Sequence, residues 1–241
     1  MGGLVQYWTP PRMWAGATVY IVGGGPSLPV DVVKARLPDW PVIAVNDAYA
    51  LSDRFAVCFF SDAAWWSRHK EALLRWPGMK VTSNGVCRPF KDVRVMMRDT
   101  RNAWTRQPDA VGWGHNSGIG ALNLAIKLGA ARVVLLGFDM HKDKWERDNW
   151  HVSTNPTRVF VKPERYTEFL GAFAQFKSEL DDDVRCGLQE PVTIVNATPG
   201  SAMTTFPIVD WRTEMPPPSL IDTISTEACA VLNKQDALCR G

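Results

Sequence analysis

Short apolar runs that stop in small or polar clusters recur along most of the chain. Thr18 to Val22 is a β-branched run ending in Gly23-Gly24-Gly25-Pro26-Ser27, and Val42 to Val45 is a second, ending at Asn46-Asp47. Ala56 to Phe60 ends at Ser61-Asp62, and Arg132 to Leu136 ends at Gly137-Phe138-Asp139. Such continuous runs, with no alternation, predict strands buried on both faces. Lys80 to Thr82, Val93 to Val95 and Thr193 to Val195 predict three more strands. Val30 to Leu37 predicts a helical turn or two, and the stretch carrying Trp65, Trp66, Leu73 and Leu74 a second helix. Ser117 to Leu128 predicts a third, stopped by Gly129. Pro163 to Leu180 predicts a fourth, with Tyr166, Phe169, Leu170, Phe173 and Phe176 on one face.

Strands alternating with helices predict an α/β, Rossmann-like fold, a mostly parallel sheet with helices on both faces. In such sheets ligands bind at the carboxyl ends of the strands, so the four polar clusters should converge on one crevice. The pattern decays after Pro207. Residues 1–210 therefore form the expected nucleotide-binding catalytic domain, and 211–241 a tail or docking helix, with Ser225 to Leu232 as the helical stretch.

The clusters carry candidate chemistry. Gly23, Gly24 and Gly25 allow a tight turn whose N–H groups can meet an anion, with Pro26 and Ser27 completing the loop; a plain glycine turn is the alternative. It is not a dinucleotide fingerprint, because Leu28 stands where the third glycine belongs, and no Walker lysine follows. Asn46 and Asp47 suit a nucleotide's sugar or base, or else an Asx turn, and Asp62 allows the same two readings. Trp65 and Trp66 can stack on a base or pack the sheet, with packing expected of one. Asn116 or Ser117 should cap the third helix, with Gly118 beside them at its amino end. Asp139, at the end of a buried strand, must face solvent, a partner or a substrate. His141 to Asn155 is a polar excursion in which His151 is the general-base candidate. His141, Asp143 and His151 could instead bind a metal, but their spacing does not demand one, and no metal site is predicted.

Composition narrows the classes. The 241 residues, 26.9 kDa, balance 27 Lys and Arg against 25 Asp and Glu, a net charge of +2 that supplies no broad field for nucleic acid or membrane. Arg68, Lys70, Arg88, Lys91, Arg94 and Arg98 would have to gather into one face to bind DNA. Five widely spaced cysteines without a CxxC pair, no signal-peptide pattern, no apolar span and Gln6 where myristoylation expects serine or threonine predict a cytoplasmic protein. Of 11 tryptophans, Trp65, Trp66, Trp113, Trp145 and Trp150 fall in segments expected to rim the crevice, which predicts stacking on a base or sugar.

VYIVGGGPSL, VIAVNDAY, FFSD, HNSGIGALNLAIKLGAARVVLLGFDM, NWH with Asn155-Pro156, and IVNATPGSAMTTFP together resemble a diffuse family. It comprises phage and prophage proteins, motility-associated glycosylation proteins and archaeal 6-hydroxymethylpterin diphosphokinase-like enzymes. More remotely, the chain is similar to bacterial sialyltransferases that use CMP-activated sugars. The resemblance spans residues 18–207. It implies a glycosyltransferase, with Gly23, Gly25, Pro26, Ser27 and Asn46 holding a CMP- or UDP-type donor. Ser117-Gly118 would line the donor site, His151 would act as base, and Asp139 would orient the acceptor or the histidine. The sialyltransferases' tyrosine pair has no clear counterpart beyond Tyr166, and phage relatives read His-Trp-His where Asn149-Trp150-His151 stands here. The diphosphokinase likeness instead implies ATP with Mg²⁺ bridged by Asp62 and Asp139. A non-catalytic nucleotide-binding accessory protein is the third alternative. The acceptor, whether small molecule, glycan, protein or modified DNA base, is not specified, and neither is any oligomer.

Overall fold

The computed structural model describes residues 6–151 and 162–216. Nine strands are present among these residues: β1 (Thr18–Val22), β2 (Val42–Val45), β3 (Val57–Phe60), β4 (Met79–Thr82), β5 (Val93–Val95), β6 (Met97–Asp99), β7 (Ala110–Gly112), β8 (Arg132–Leu136) and β9 (Thr193–Asn196). The helices are α1 (Val30–Arg36), α2 (Ala63–Arg75), α3 (Ser117–Lys127), α4 (Pro163–Arg185) and α5 (Trp211–Glu214).

Seven strands form one wholly parallel sheet in the order β5-β4-β3-β2-β1-β8-β9. Chain order runs outward in both directions from β1 and β8, so these neighbours flank the topological switch point. The expected α/β, Rossmann-like sheet is therefore the observed one. Alternate side chains of each strand enter two cores. Val19, Ile21, Val133 and Leu135 pack with α3 and with Phe173 and Phe176 of α4, whereas Tyr20, Val22, Val134 and Leu136 pack with Val33 of α1 and with Trp65, Trp66 and Leu73 of α2. Helices cover both faces, which is why the strands read as unbroken apolar runs.

β6 and β7 pair parallel in a small second sheet that the apolar pattern did not predict. Each has three residues and neither is a β-branched run. The segment that joins them is held from the helices: the buried Asn123 side chain of α3 donates to the Ala103 carbonyl at 2.7 Å and accepts from the Thr105 N–H at 3.2 Å, and Glu179 of α4 accepts from the Ala103 and Trp104 N–H groups at 2.9 and 2.7 Å.

Past Pro207 the chain stays on the sheet as far as it is described. Arg132 donates to both carboxylate oxygens of Glu214, at 2.9 and 2.8 Å, Tyr20 donates its hydroxyl hydrogen to the Glu214 carbonyl at 2.9 Å, and Met215 is buried. The expected helix from Ser225 to Leu232 lies outside the described residues. Among the described residues no helix is long and apolar enough to cross a membrane, and Cys58, Cys87 and Cys186 are free thiols.

Helix α3 crosses the sheet closely because Gly120 has no side chain: a Cβ there would overlap the Phe59 ring. Gly120→Ala should lower stability by about 1–2 kcal/mol, overpacking outweighing the gain in helix propensity. Urea denaturation measures it, and an unchanged or higher midpoint would mean that Phe59 yields freely.

Candidate functional site

A cavity of about 380 Å³ opens outside the carboxyl ends of β1, β2 and β8, within the range of small-molecule sites. Its walls include Gly23, Gly24 and Gly25 after β1, Asn46 and Asp47 after β2, His115 to Gly118 at the start of α3, and Gly137 to His141 after β8. Asp148, Asn149 and His151 of the loop after β8, Arg68 of α2, and Tyr166 and Phe169 of α4 complete it. Four of the chain's backbone positions are non-glycine residues with positive φ among the described residues, and three of them, Asn46 (φ 52°), His115 (φ 55°) and Met140 (φ 57°), line this cavity. Such conformations are held only where surrounding contacts enforce them, and they concentrate at functional sites.

The glycine loop is packed against its neighbours. A Cβ on Gly23 would lie 2.7 Å from the Gly137 carbonyl oxygen, one on Gly24 2.8 Å from Asn149 Oδ1, and one on Gly25 would overlap Asp139 Oδ2. Its amides differ from the expected anion cradle. The N–H of Gly23 donates to Leu136 O at 2.8 Å, that of Gly25 to Gly137 O at 2.8 Å, and that of Ser27 to Asp139 Oδ1 at 3.1 Å. Three of the loop's donors are thus used to fix the switch point, and Pro26 and Ser27 do not line the cavity. The amino end of α3 does: Asn116 accepts from the Gly118 N–H at 2.7 Å, and the Ser117 hydroxyl lies 2.7 Å from that of Ser61. This helix end, with its dipole, faces the cavity beside Arg68 and His141.

Asp139 is 3% exposed and clamps the glycine loop through Ser27. Burial raises its carboxyl above the usual range, and hydrogen bonds from Ser27 pull the other way. Among the described residues its Oδ2 and Asn46 Oδ1 are buried without a hydrogen-bond partner. Each such atom costs about 1–3 kcal/mol until something supplies a donor. Both residues border the cavity, so a ligand rich in hydroxyl or amino groups would relieve them.

His141 is held toward its charged form. Its Nδ1 lies 2.6 Å from Lys142 O and its Nε2 2.9 Å from Gly200 O. Two carbonyls accept from both ring nitrogens only if both carry hydrogen, so this geometry suits the imidazolium. The Lys142 carbonyl raises its pKa most, burial opposes, and the Gly200 carbonyl adds to the rise.

His151 sits at the cavity with Nε2 3.9 Å from Asp47 Oδ2, so the carboxylate facing it is Asp47 rather than the expected Asp139. Trp150, next to it, donates its backbone N–H to Gly24 O at 3.1 Å and its indole N–H to Gly23 O at 3.2 Å. The loop bearing His151 is thereby seated on the glycine loop. Tyr166 donates its hydroxyl hydrogen to Asp148 at 2.7 Å from the first turns of α4.

Several expected residues lie elsewhere. Asp62 caps α2 by accepting from the Trp65 N–H at 2.6 Å and does not line the cavity. None of the tryptophans lines it. Trp65 and Trp66 are buried, with Phe60 stacked on Trp66 at 5.3 Å, while Trp113 lies under Arg98 and Trp145 is 64% exposed beneath Lys144 and Arg147. The expectation of stacking on a ligand is corrected accordingly: these rings fill the core or carry cations. The basic residues also separate. Arg88, Lys91 and Arg94 line a groove with Tyr7 and Phe90, Arg68 lines the main cavity, and Arg98 turns inward to the Ser61 carbonyl at 2.6 Å. Conversely, Arg68 lines the cavity and His69 faces Asp47, although no motif marks either as a site residue. Their signal was their place one turn along α2 from Trp65, on the helix that follows a strand-end cluster.

No family model and no curated protein matches the chain. Among solved structures, a TM-score of 0.56 relates it to the MAf glycosyltransferase from Magnetospirillum magneticum AMB-1, at 14% identity over 86% of this chain and 36% of that one. The fold is shared. This chain thus spans about a third of that protein's length. The sialyltransferase CstII from Campylobacter jejuni, solved with the substrate analogue cytidine-5'-monophosphate, aligns at 13% identity over 85% of this chain and 86% of the other, with a TM-score of 0.48. Both structural neighbours are glycosyltransferases.

Proposed function

We propose that the protein transfers a sugar from a CMP- or UDP-activated donor to a hydroxyl acceptor. The observation that carries this reading is one cavity, at the switch point, lined by a helix amino end, by Arg68 and His141, and by a histidine facing a carboxylate. The helix end with Arg68 and His141 suits the donor's phosphate, and the histidine with its carboxylate suits removal of a proton.

The donor's phosphate lies toward the amino end of α3, with the Ser117 hydroxyl, Arg68 and His141 gathering the negative charge that grows as the glycosidic bond breaks. Asn46 Oδ1 and Asp139 Oδ2 accept from sugar or base groups. His151 takes the acceptor's hydroxyl proton as the acceptor oxygen bonds to the anomeric carbon. The anomeric C–O bond breaks, and its electron pair leaves with the nucleotide phosphate. Holding both partners against this histidine supplies much of the acceleration by orientation.

A thermal-shift screen of CMP, UDP, GDP and ATP, each with and without Mg²⁺, tests the donor class. A nucleotide at about 100 times its Kd should raise the melting temperature by about 5–10 °C. Stabilisation by CMP or UDP without metal is the expected result. Strict dependence on ATP with Mg²⁺ would favour the diphosphokinase reading, and no response to any nucleotide would overturn both.

A further inference from the structure

Asp47 follows Asn46 directly, yet the two side chains have different surroundings. Asn46 has a buried oxygen without a partner among the described residues, bordering the cavity. Both oxygens of Asp47 already face aromatic nitrogens. Its Oδ2 accepts from the indole N–H of Trp65 at 2.9 Å and lies 3.9 Å from His151 Nε2, and its Oδ1 lies 3.5 Å from His69 Nε2. Trp65 is buried and stacks on His69 at 4.5 Å with 8° between the planes, and Tyr49 meets both rings edge-on. The carboxylate is therefore fixed from behind by an aromatic wall and presented to His151 in front. Among the described residues no group of three His, Cys, Asp or Glu side chains is arranged to hold a metal ion. Asp47 thus stands between two imidazoles at ion-pair distance.

We propose that Asp47 is the positioning residue of His151: it fixes the ring with its Nε2–H toward the carboxylate, so that Nδ1 takes the acceptor's proton, and it balances the imidazolium that results. This rests on the transferase reading for its purpose, though not for its geometry. A carboxylate can only accept, so a ring held against it must carry hydrogen on the facing nitrogen, which leaves the basic lone pair on the other. His69 stands behind the carboxylate, outside the cavity lining, with its pKa lowered by burial most, raised by Asp47, and lowered further by Arg68 and His151. With its charged form disfavoured by burial, it leaves the charge of Asp47 to His151. Tyr49 and Cys58 also face Asp47, and burial raises the pKa of each, so both stay uncharged.

The test uses the full chain labelled with ¹⁵N-histidine, its four histidines assigned by single His→Gln variants. Neutral His151 should be the Nε2–H tautomer, and its ring resonances should shift in Asp47→Asn and in Asp47→Ala. Asp47→Asn keeps the oxygen that accepts from Trp65 and so keeps the fold. CMP and UDP affinities of the variants should stay within about twofold of wild type, because the carboxylate is not a ribose contact. Transfer should fall by about 10²–10⁴, in kcat and not in KM, with no further loss when Asp47→Asn is combined with His151→Ala. An Nδ1–H tautomer in the wild type, or a His151 spectrum unmoved by both substitutions, overturns the pairing. A tenfold loss of nucleotide affinity in Asp47→Asn overturns it in favour of ribose binding. Absence of any nucleotide binding or transfer in the wild type overturns the transferase reading alone, and the tautomer then decides the pairing by itself.

Discussion

His151→Ala should leave nucleotide affinity within about twofold of wild type while lowering the rate of transfer by about 10²–10⁴. The two effects separate because different side chains serve the two tasks. The groups suited to phosphate include the amino end of α3 and Arg68 of α2, which are on different elements from the loop after β8 that carries His151. Removing the imidazole takes away a proton acceptor and no donor to phosphate. Calorimetric titration with CMP and UDP, paired with a turnover assay on the corresponding sugar nucleotides, measures both quantities in one preparation. Transfer that continues at the wild-type rate would remove His151 from the base role, and a parallel collapse of nucleotide affinity would make it a donor contact instead.

Gly25→Ala should be the most destabilising single change at the site, lowering unfolding free energy by about 3–5 kcal/mol. The added methyl would overlap Asp139 Oδ2 and lie 2.6 Å from the Gly137 carbonyl, which is backbone and cannot swing aside. Displacing Asp139 would break its hydrogen bond from Ser27 and leave a buried acid with fewer partners. Denaturant unfolding of Gly25→Ala and of Gly25→Ala with Asp139→Ala gives the test. The double variant should lose less than the sum of the two single losses, because truncating Asp139 removes one of the two collisions. A single variant within about 1 kcal/mol of wild type would show that the loop moves away from β8 at little cost.

The sheet was legible because a parallel strand covered on both faces leaves a local mark, a short apolar run ended by a turn. Val19 to Val22 and Val133 to Leu136 carried that mark, and both are interior, buried strands of the sheet. Met97–Asp99 and Ala110–Gly112 did not, since each is only three residues long and neither is a β-branched run; the segment between them is held by Asn123 and Glu179. The strand-end clusters located the crevice for the same reason that the strands were visible. What each polar residue does there was not legible, because the same side chain serves a near partner as readily as a remote one. Asp139 bonds Ser27 across 112 positions, and Asp62 bonds Trp65 three residues on. A cap and a clamp present the same letter. The tryptophans misled for a related reason: a polar flank hides whether a large ring turns inward, and Trp65 and Trp66 turn onto Phe60.

The two hydrogen bonds from Trp150 to Gly24 and Gly23 bear on how such a protein can diversify. They tie the loop that carries the histidine to the loop that follows the first strand, two segments that selection would otherwise reshape one at a time. Any substitution that re-sculpts Gly23 or Gly24 for another donor also moves the histidine. Changes of donor should therefore arise together with changes in 149–151, and libraries aimed at new donors should vary the two segments jointly.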